Sequence, residues 1–379
     1  MAVTLTASNS VQIQVRARQL WDLENTQHTN QYANPVETAT RLLMDHTARV
    51  HPVFDDAGRC VSVKVWYNDM ADADANAVYS STTADSSLAC DIATGSPIGT
   101  KSTTYTPNLY IKDEFYVDDA LCANDAQFAD LTAAQLQFSM LKLRKALNTR
   151  CIQHLNTNAG ANIATTLYTT DFTINGTATE VPEASFNNED IWTKFQIIAA
   201  KNKILDYRVF DGTNLLHNGM MAKYLGLNAD QKSFGAIFAD WMGRYTGDLY
   251  DLDTVVGASA TFLVNPAMIG FFNRTRYSPG MVDIDTSKGL KAFSVKDPVL
   301  KYRRNIVNAT GQVVGTEMAP VEYDVVYQKT CATARDTNGD HNFRHKWEIH
   351  LRGGLFLGPV GVSPNHTTGI LKFTKTAGI

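Results

Sequence analysis

Residues 125–155 read DAQFADLTAAQLQFSMLKLRKALNTRCIQHL, with no glycine or proline, and this stretch predicts one long α-helix. At 1.5 Å per residue the helix would be about 45 Å long, and we call it the spine helix. One apolar stripe recurs at spacings of three and four: Ala133, Leu136, Met140, Leu143, Leu147 and Cys151. A second stripe lies beside it: Leu131, Ala134, Phe138 and Leu141. Together they predict a helix that lies across a hydrophobic core, with Leu136, Met140, Leu143 and Leu147 at its centre.

The composition is that of a folded protein. The chain has 379 residues, enough for two or three domain-sized bodies, with 44% hydrophobic and 19% charged residues. The formal net charge of -4 argues against tight nucleic-acid binding through a basic surface. Five scattered cysteines favour free thiols over a disulfide framework. Without a secretory signal or an apolar run of membrane-spanning length, we expect synthesis in a cytoplasm.

The first third of the chain suggests an arm and a loop. Residues 1–34 lack sustained periodicity and predict an extended arm, whereas 35–50 predict a short helix. Alternating apolar residues in 61–67 and 109–117 predict a pair of strands. Between them lies a polar stretch, 69–102, which is unusually long for a connection inside a compact domain. We expect this stretch to be mobile or to dock outside its own subunit.

The middle of the chain predicts a mixed α+β body over 161–320. A helix is expected at 188–205, where aromatic and aliphatic residues follow a helical spacing. A strand is expected at 261–264, followed by an Asn-Pro turn and a short helix at 267–274. Helices that alternate with strands in this way indicate a body separate from the spine helix.

The last part of the chain carries the clearest strand signal. Apolar residues alternate with polar ones in 321–328 and again in 343–352. Asn338-Gly339 lies between them and favours a hairpin turn. We therefore predict a long antiparallel hairpin whose apolar face packs on the spine helix, and a final strand at 370–373.

Two groups of residues resemble metal ligands, and the structural interpretation is preferred for both. The first group consists of Asp336, Asn338, Asp340 and Asn342. It lacks the glycine and the closing glutamate of a calcium loop, so a polar hairpin tip is the preferred interpretation. The second is a set of histidines: His341, His345 and His350. On a strand, His345 and His350 point to opposite faces, and no cysteine or carboxylate stands at metal-ligand spacing.

The candidate catalytic groups are also weak. Asp248, Asp251 and Asp253, and separately Asp283 and Asp285, could share an acid–base or metal site. They lie in loop-like sequence, where aspartate commonly caps turns, so a solvated loop is preferred. A Cys122 or Cys151 nucleophile with a distant histidine is disfavoured by apolar or helical surroundings. We expect no enzyme, no catalytic residue, no metal and no cofactor.

The order of elements resembles the major capsid proteins of tailed bacteriophages, the HK97-like fold. NLYIKDEFYVDDALCAND (108–125) is similar to the strand and acidic turn that precede the family's spine helix. ATFLVNPAMIGFF (260–272) looks like its axial-domain strand, and HLRGGLFLGPVGVSP (350–364) looks like its closing strand. Arms and loops that reach beyond their own core are also features of a subunit that interlocks with copies of itself.

This resemblance implies an α+β fold with four parts. They are an N-terminal arm at 1–50, an extended two-stranded loop at 51–112, a peripheral domain at 113–160 plus 321–357, and an axial domain at 161–320 plus 358–379. The peripheral domain would hold the spine helix and an antiparallel sheet. Assembly contacts are expected on loop aromatics: Trp66, Tyr67, Tyr79 and Tyr105.

The resemblance also implies a function. The chain would be a structural shell protein that self-assembles, as hexamers and pentamers, into an icosahedral viral capsid enclosing double-stranded DNA. Contact with the DNA would be weak and non-specific, and portal, scaffolding or decoration proteins are further expected partners. The protein would reside in the virion, without a membrane. The alternatives are a protein nanocompartment shell, a tail-tube or decoration protein, and a metal-dependent enzyme that uses the aspartates at 248–253 and 283–285.

Overall fold

The computed structural model describes most of the chain: residues 7–27, 37–45, 51–54, 60–68, 100–118, 125–161, 172–175, 177–186, 191–202, 204, 206–212, 216, 243–247, 251–256, 260–307, 313–335, 341–357 and 369–376. These residues form a mixed helix and strand structure, as the sequence predicts. The helices are α1 (Ala7–Gln27), α2 (Glu37–Asp45), α3 (Asp125–Thr157), α4 (Glu183–Phe186), α5 (Ile191–Lys201) and α6 (Asp251–Val256).

Helix α3 is the spine helix, and its 33 residues make it about 50 Å long. Its first stripe is the buried one: Leu136, Met140, Leu143 and Leu147 are each at most 3% exposed. They join one hydrophobic cluster with residues of α1, α2 and the long sheet described below. The spacing of three and four residues therefore places this face of α3 in the core, where burial of each leucine contributes about 1.5–3 kcal/mol.

The second stripe of the spine helix is only partly buried, so the predicted wide apolar arc is wrong there. Leu131 is 37% and Phe138 is 42% exposed, whereas Leu141 is buried. The Nζ atom of Lys142 lies 5.0 Å from the centre of the Phe138 ring. The ring thus contacts a cation at the surface, because the buried face of α3 is displaced away from the second stripe, towards the buried Thr132 and Ser139.

The predicted extended arm is also wrong, because residues 7–27 form helix α1. Val11, Ile13 and Val15 alternate briefly in the sequence, yet of these three only Ile13 is buried. Ser10, Ile13 and Ala17 line the buried face at helical spacing. Arg16 adds an exposed ion pair with Asp130 of α3, at 2.8 Å. Packing on the spine helix therefore decides a structure that local periodicity does not show.

The long sheet is entirely antiparallel. Its strands are β4 (Leu109–Asp118), β10 (Ile269–Asn273), β11 (Val282–Asp285), β12 (Leu290–Val307), β13 (Val313–Arg335) and β14 (His341–Leu357). Their order is β10-β14-β13-β12-β11, and β4 also pairs with β14. The predicted hairpin is confirmed as β13 and β14, with Tyr327 opposite Trp347. Its apolar face meets α3, where the rings of Phe128 and His345 lie 4.6 Å apart.

Two smaller sheets complete the described part of the chain. One contains β5 (Thr173–Asn175), β6 (Ala178–Pro182), β7 (Arg208–Asp211), β8 (Tyr245–Gly247), β9 (Ala260–Val264) and β15 (Ile370–Thr376), in the order β5-β6-β15-β9-β7-β8. Helix α5 packs on it through Phe195, whose ring lies 4.7 Å from that of Phe373. The other sheet contains β1 (His51–Phe54), β2 (Cys60–Asn68) and β3 (Thr100–Tyr105), in that order.

The strand pair expected from 61–67 and 109–117 does not form. Strand β2 pairs with β1 and with β3, so that Val63 faces Tyr105. Strand β4 pairs instead with β14. Pro107 lies between β3 and β4 and cannot donate to a ladder, which separates the two strands. Most of the polar stretch 69–102, from 69 to 99, lies outside the described residues.

The long sheet also takes in residues that the sequence assigned to the 161–320 body. The helix expected at 267–274 is instead a short 3-10 turn, Pro266–Met268, followed by β10. Strand β10 pairs with 353–357 of β14, and this tertiary pairing outweighs the local helical signal. Strand β12 has 18 residues, and its register shifts between Lys296 and Lys301, where Pro298 interrupts the alternation.

Gly353 permits the close approach of β10 to β14. A Cβ atom at this position would overlap the carbonyl oxygen of Phe272. We therefore expect Gly353→Ala to lower the free energy of unfolding by roughly 1–3 kcal/mol, measured by urea denaturation. Gly315→Ala is the control, since a Cβ atom there would lie 3.8 Å from Cδ1 of Ile306, an ordinary contact distance. Equal losses in the two variants would show that the close approach does not matter.

Candidate functional site

A buried ion pair joins the spine helix to the long sheet. Nε of Arg144 donates to Oδ2 of Asp297 at 2.7 Å, and the two side chains are 2% and 0% exposed. The hydroxyl of Tyr323 donates to the same oxygen at 2.6 Å. The other oxygen accepts the backbone N–H groups of Val299 and Leu300, both at 2.8 Å. The carboxylate thus holds the irregular segment of β12 against α3, and we call this group the Arg144–Asp297 junction.

The pKa shifts at this junction favour a structural role. Burial alone would lower the pKa of Arg144, but the Asp297 carboxylate offsets this and the pKa is raised. Burial, together with the negative charge of Asp297, raises the pKa of Tyr323 well above its usual value. At neutral pH the arginine therefore stays charged and the phenol stays protonated. Neither group is suited to exchange a proton near neutrality.

We did not predict the Arg144–Asp297 junction from the sequence, although two sequence features indicate it. Arg144 follows Leu143 of the buried stripe directly, and a charge at the edge of such a stripe requires a partner. Asp297 precedes Pro298 inside an otherwise strand-like stretch, which marks an interruption of the ladder. Nothing in the sequence pairs these two residues, which are separated by 153 positions.

The structure does not bring Asp283 and Asp285 into a catalytic site. Oδ1 of Asp285 accepts the N–H groups of Ser287 and Lys288 and caps the 3-10 turn Thr286–Lys288. The Ser287 hydroxyl also donates to Oδ1 of Asp285, and this hydrogen bond is the main cause of a lowered pKa for Asp285. The two N–H groups lower the pKa further. Asp283 lies 4.0 Å from Lys291 on the neighbouring strand. The side chains of the aspartates at 248–253 lie outside the described residues.

His345 and His350 have hydrogen-bond partners, and Cys151 is buried. Nδ1 of His345 lies 2.7 Å from the Tyr327 hydroxyl, and Nδ1 of His350 lies 2.9 Å from the Tyr110 hydroxyl. Burial raises the pKa of the Cys151 thiol, which disfavours a nucleophilic role. Within the described side chains, no three metal-ligating groups lie together. The side chain of His341, that of Cys122 and those of the 336–342 tip fall outside them.

His154, near the end of the spine helix, makes stability depend on pH. Burial lowers its pKa from 6.5 to about 4. Between these values the unfolded chain binds more protons than the folded chain, so stability falls as pH falls from about 6.5 to about 4. The loss is up to about 3 kcal/mol. We expect His154→Gln to flatten this part of the stability curve, measured by urea denaturation from pH 7 to pH 4. An unchanged slope would contradict the assignment.

The face of the long sheet that lies opposite α3 is open and polar. Tyr110 and Tyr116 of β4 are exposed on it. Nε of Arg344 lies 2.7 Å from Asp118, and the guanidinium lies 5.2 Å from the Tyr116 ring. Such a face, with its cations over aromatic rings, has the composition of a surface that contacts other macromolecules.

The ends of β12 and β13 form a two-stranded arm, residues 304–307 and 313–318. In the described part of the chain, no third strand pairs with these residues. Arg304 pairs across the arm with Glu317. Three large apolar side chains on the arm are exposed: Ile306, Val314 and Met318. Val314 and Met318 lie on one face of the arm, and Ile306, opposite Gly315, lies on the other, so both faces expose apolar side chains, as interaction surfaces do.

One of the four expected assembly residues can be placed in full. Tyr105, at the end of β3, stacks on Phe356 of the long sheet, with ring centres 4.6 Å apart. It joins the β1–β3 sheet to the long sheet within one chain. Trp66 and Tyr67 lie in β2, but their side chains are outside the described residues, as is the whole of Tyr79.

Comparison with solved structures finds phage proteins. The capsid of the cyanophage P-SCSP1u matches with a TM-score of 0.41 and 9% identity, over 88% of this chain and 88% of that chain. A mature capsid of bacteriophage PhiM1 matches at 0.40 and 8%, over 83% and 82%. A structure of Mycobacterium phage Che8 matches at 0.35 and 10%, over 86% and 93%. Phage capsid proteins are thus among the structural neighbours, the class that the sequence resembles.

Other comparisons give no further relatives. No family model and no curated protein matches the sequence. Within the described residues, none of the helices is long and apolar enough to cross a membrane.

Proposed function

We propose that this protein is the major shell protein of a tailed bacteriophage and assembles into an icosahedral capsid around double-stranded DNA. One observation carries the proposal: a helix-backed sheet extends into a two-stranded arm with exposed Ile306, Val314 and Met318. A monomer gains nothing from such an arm, whereas a neighbouring copy can bury it. The role is structural and needs no cofactor.

The parts of the HK97-like fold supply the mechanism. The spine helix and long sheet form a peripheral domain, the β5–β9 and β15 sheet belongs to an axial domain, and the β1–β3 sheet begins the extended loop. The loop and arm of each subunit contact neighbouring subunits in hexamers and pentamers. Each subunit thereby buries roughly 2,000 Å² or more of its surface. Many modest contacts, closed by symmetry, then make a durable shell. Trp66, Tyr67 and Tyr79 remain proposed contacts of the loop.

The remaining partners follow from the same proposal. The net charge of -4 supports weak, non-specific contact with packaged DNA. Portal, scaffolding or decoration proteins would complete the particle. The protein would be made in the host cytoplasm and would end in the virion.

Negative-stain electron microscopy of the expressed protein, alone and with the products of neighbouring genes, tests this proposal. Closed icosahedral shells that contain DNA are the expected result. Shells that enclose an enzyme would identify a nanocompartment instead, and rods or small rings would identify a tail-tube or decoration protein. A persistent monomer with metal-dependent turnover would contradict a structural role.

The arm provides a sharper test. We expect Val314→Glu to leave a folded subunit that forms few or no shells, because the new charge would be buried without a partner between copies. Val282→Glu, at another exposed valine of the same sheet, controls for the cost of glutamate in a strand. Circular dichroism and sedimentation velocity separate folding from assembly. Normal shells from Val314→Glu would show that the arm is not a contact.

A further inference from the structure

We propose that a pocket on the long sheet binds a phosphate-type oxyanion. The pocket has a volume of about 540 Å³, and Arg274, Arg276 and Arg352 line it together with Tyr110 and Asn108. We call it the arginine pocket. It is separate from the Arg144–Asp297 junction, and the inference concerns the single chain, so it does not rest on the proposed function.

The pocket lies where strand β13 leaves β14 and strand β10 takes its place. The side chain of Asn273 marks this fork, since its amide donates to the carbonyl oxygens of Glu322 and Arg352, each at 3.1 Å. The N–H of Arg274 donates to the carbonyl oxygen of Arg352 at 3.0 Å. The fork therefore fixes the backbone of the segment that carries Arg274 and Arg276 beside Arg352.

One buried carboxylate, that of Asp324, contacts two of the three arginines. The Asp324 side chain is 0% exposed and lies 3.5 Å from Nε of Arg352. Its oxygens also accept the N–H groups of Arg276, at 2.9 and 3.0 Å, and of Tyr277, at 3.2 Å. Among the described residues that line the pocket, none is acidic. The Arg352 guanidinium thus lies beside the carboxylate, whereas Arg276 contacts it through its backbone N–H, and the lining side chains of the pocket carry three positive charges above this one negative charge.

The other polar side chains of the pocket are engaged within the chain. The Tyr110 hydroxyl bonds to His350, and the Asn108 amide bonds twice to the backbone of Leu355. The Arg352 guanidinium lies 5.3 Å from the centre of the Tyr110 ring, which holds it in place. The charged side chains that line the pocket are therefore arginines, and that of Arg352 is held in place before any ligand binds.

A phosphate group fits this chemistry better than a carboxylate. One guanidinium saturates a carboxylate through two parallel hydrogen bonds. A phosphate group offers three acceptor oxygens and a charge of about -1.5 to -2, so it can engage several arginines at once. The volume lies within the range of ordinary small-molecule sites. The anion is either free phosphate or part of a phosphodiester, which carries one negative charge and two unesterified oxygens and so can still contact two guanidinium groups.

Isothermal titration calorimetry of the full chain with inorganic phosphate, against chloride at the same ionic strength, tests the inference. We expect saturable binding that Arg276→Gln weakens about tenfold or more, as the loss of one charge-assisted hydrogen-bond partner predicts. Arg274→Gln should act in the same direction. Arg18→Gln, which removes an exposed arginine of α1, should change the affinity less than about twofold.

A short DNA duplex distinguishes the two sources of phosphate. If phosphate competes with the duplex and Arg276→Gln weakens both, the pocket binds phosphodiesters; if only phosphate binds, it takes the free anion. Absence of saturable phosphate binding would overturn the proposal, as would an equal loss in Arg18→Gln. Binding of acetate as tight as that of phosphate would also overturn it, since the pocket would then recognise carboxylates. Thermal melting of each variant shows whether the fold is retained.

Discussion

Leu143→Asp is expected to leave no folded subunit and, as a result, no assembled particle. Leu143 is 1% exposed at the centre of the spine helix. Removing a buried leucine costs about 2–5 kcal/mol. The aspartate adds an unpaired buried charge, so the total exceeds about 5 kcal/mol, which is comparable to the whole stability of a typical domain. Circular dichroism and soluble yield would measure the loss.

Gln135→Asp is the matched control for this variant. Gln135 is exposed on the same helix, so the substitution introduces the same charge and the same helix propensity without burial. We expect it to fold, with a loss of less than about 1 kcal/mol. If both variants unfold, the lower helix propensity of aspartate is the cause of unfolding, and the burial of Leu143 is not.

Asp297→Ala has the second largest expected effect. Its removal leaves Arg144 charged at 2% exposure and takes away the acceptor of Tyr323 and of two backbone N–H groups. Breaking a buried ion pair in this way costs about 3–5 kcal/mol. Urea denaturation of the purified variant would measure the change in the free energy of unfolding.

A double-mutant cycle with Arg144→Met tests whether the loss comes from the pair. Arg144→Met alone should cost less than Asp297→Ala, because Asp297 keeps its three other donors. The double variant should be more stable than the sum of the two single losses predicts, since it buries no lone arginine charge. Additive losses would show that Arg144 and Asp297 act independently and would overturn the junction as a unit.

The parts of the fold that the sequence predicts are those with local signals. The spine helix is unbroken by glycine or proline and carries a regular stripe, so its existence and buried face follow from 125–155 alone. The β13–β14 hairpin follows from strict alternation on both sides of Asn338-Gly339. The order of these elements along the chain was enough to suggest a phage shell protein.

The parts that the sequence could not predict depend on distant partners. Helix α1 has a short buried face that consists of Ser10, Ile13 and Ala17. This pattern can be recognised as a buried face only when the position of α3 is known. Strand β4 pairs with β14, which is more than 200 positions away in the chain, rather than with β2, which is about 40 positions away. The arginine pocket draws on residues around 108, 274 and 352. Only the alternation of Arg274 and Arg276 after a strand hinted at it.

The two-stranded arm has a mechanical consequence. In an antiparallel pair the hydrogen bonds lie perpendicular to the strands, so a pull along one strand of the arm loads many bonds in shear at once. The pull then passes along β12 to the irregular segment at Asp297, which Arg144 ties to the spine helix. Tension at the tip is thereby transmitted to a helix of about 50 Å. In the proposed shell, a load on the arm would reach the core of the subunit through this path.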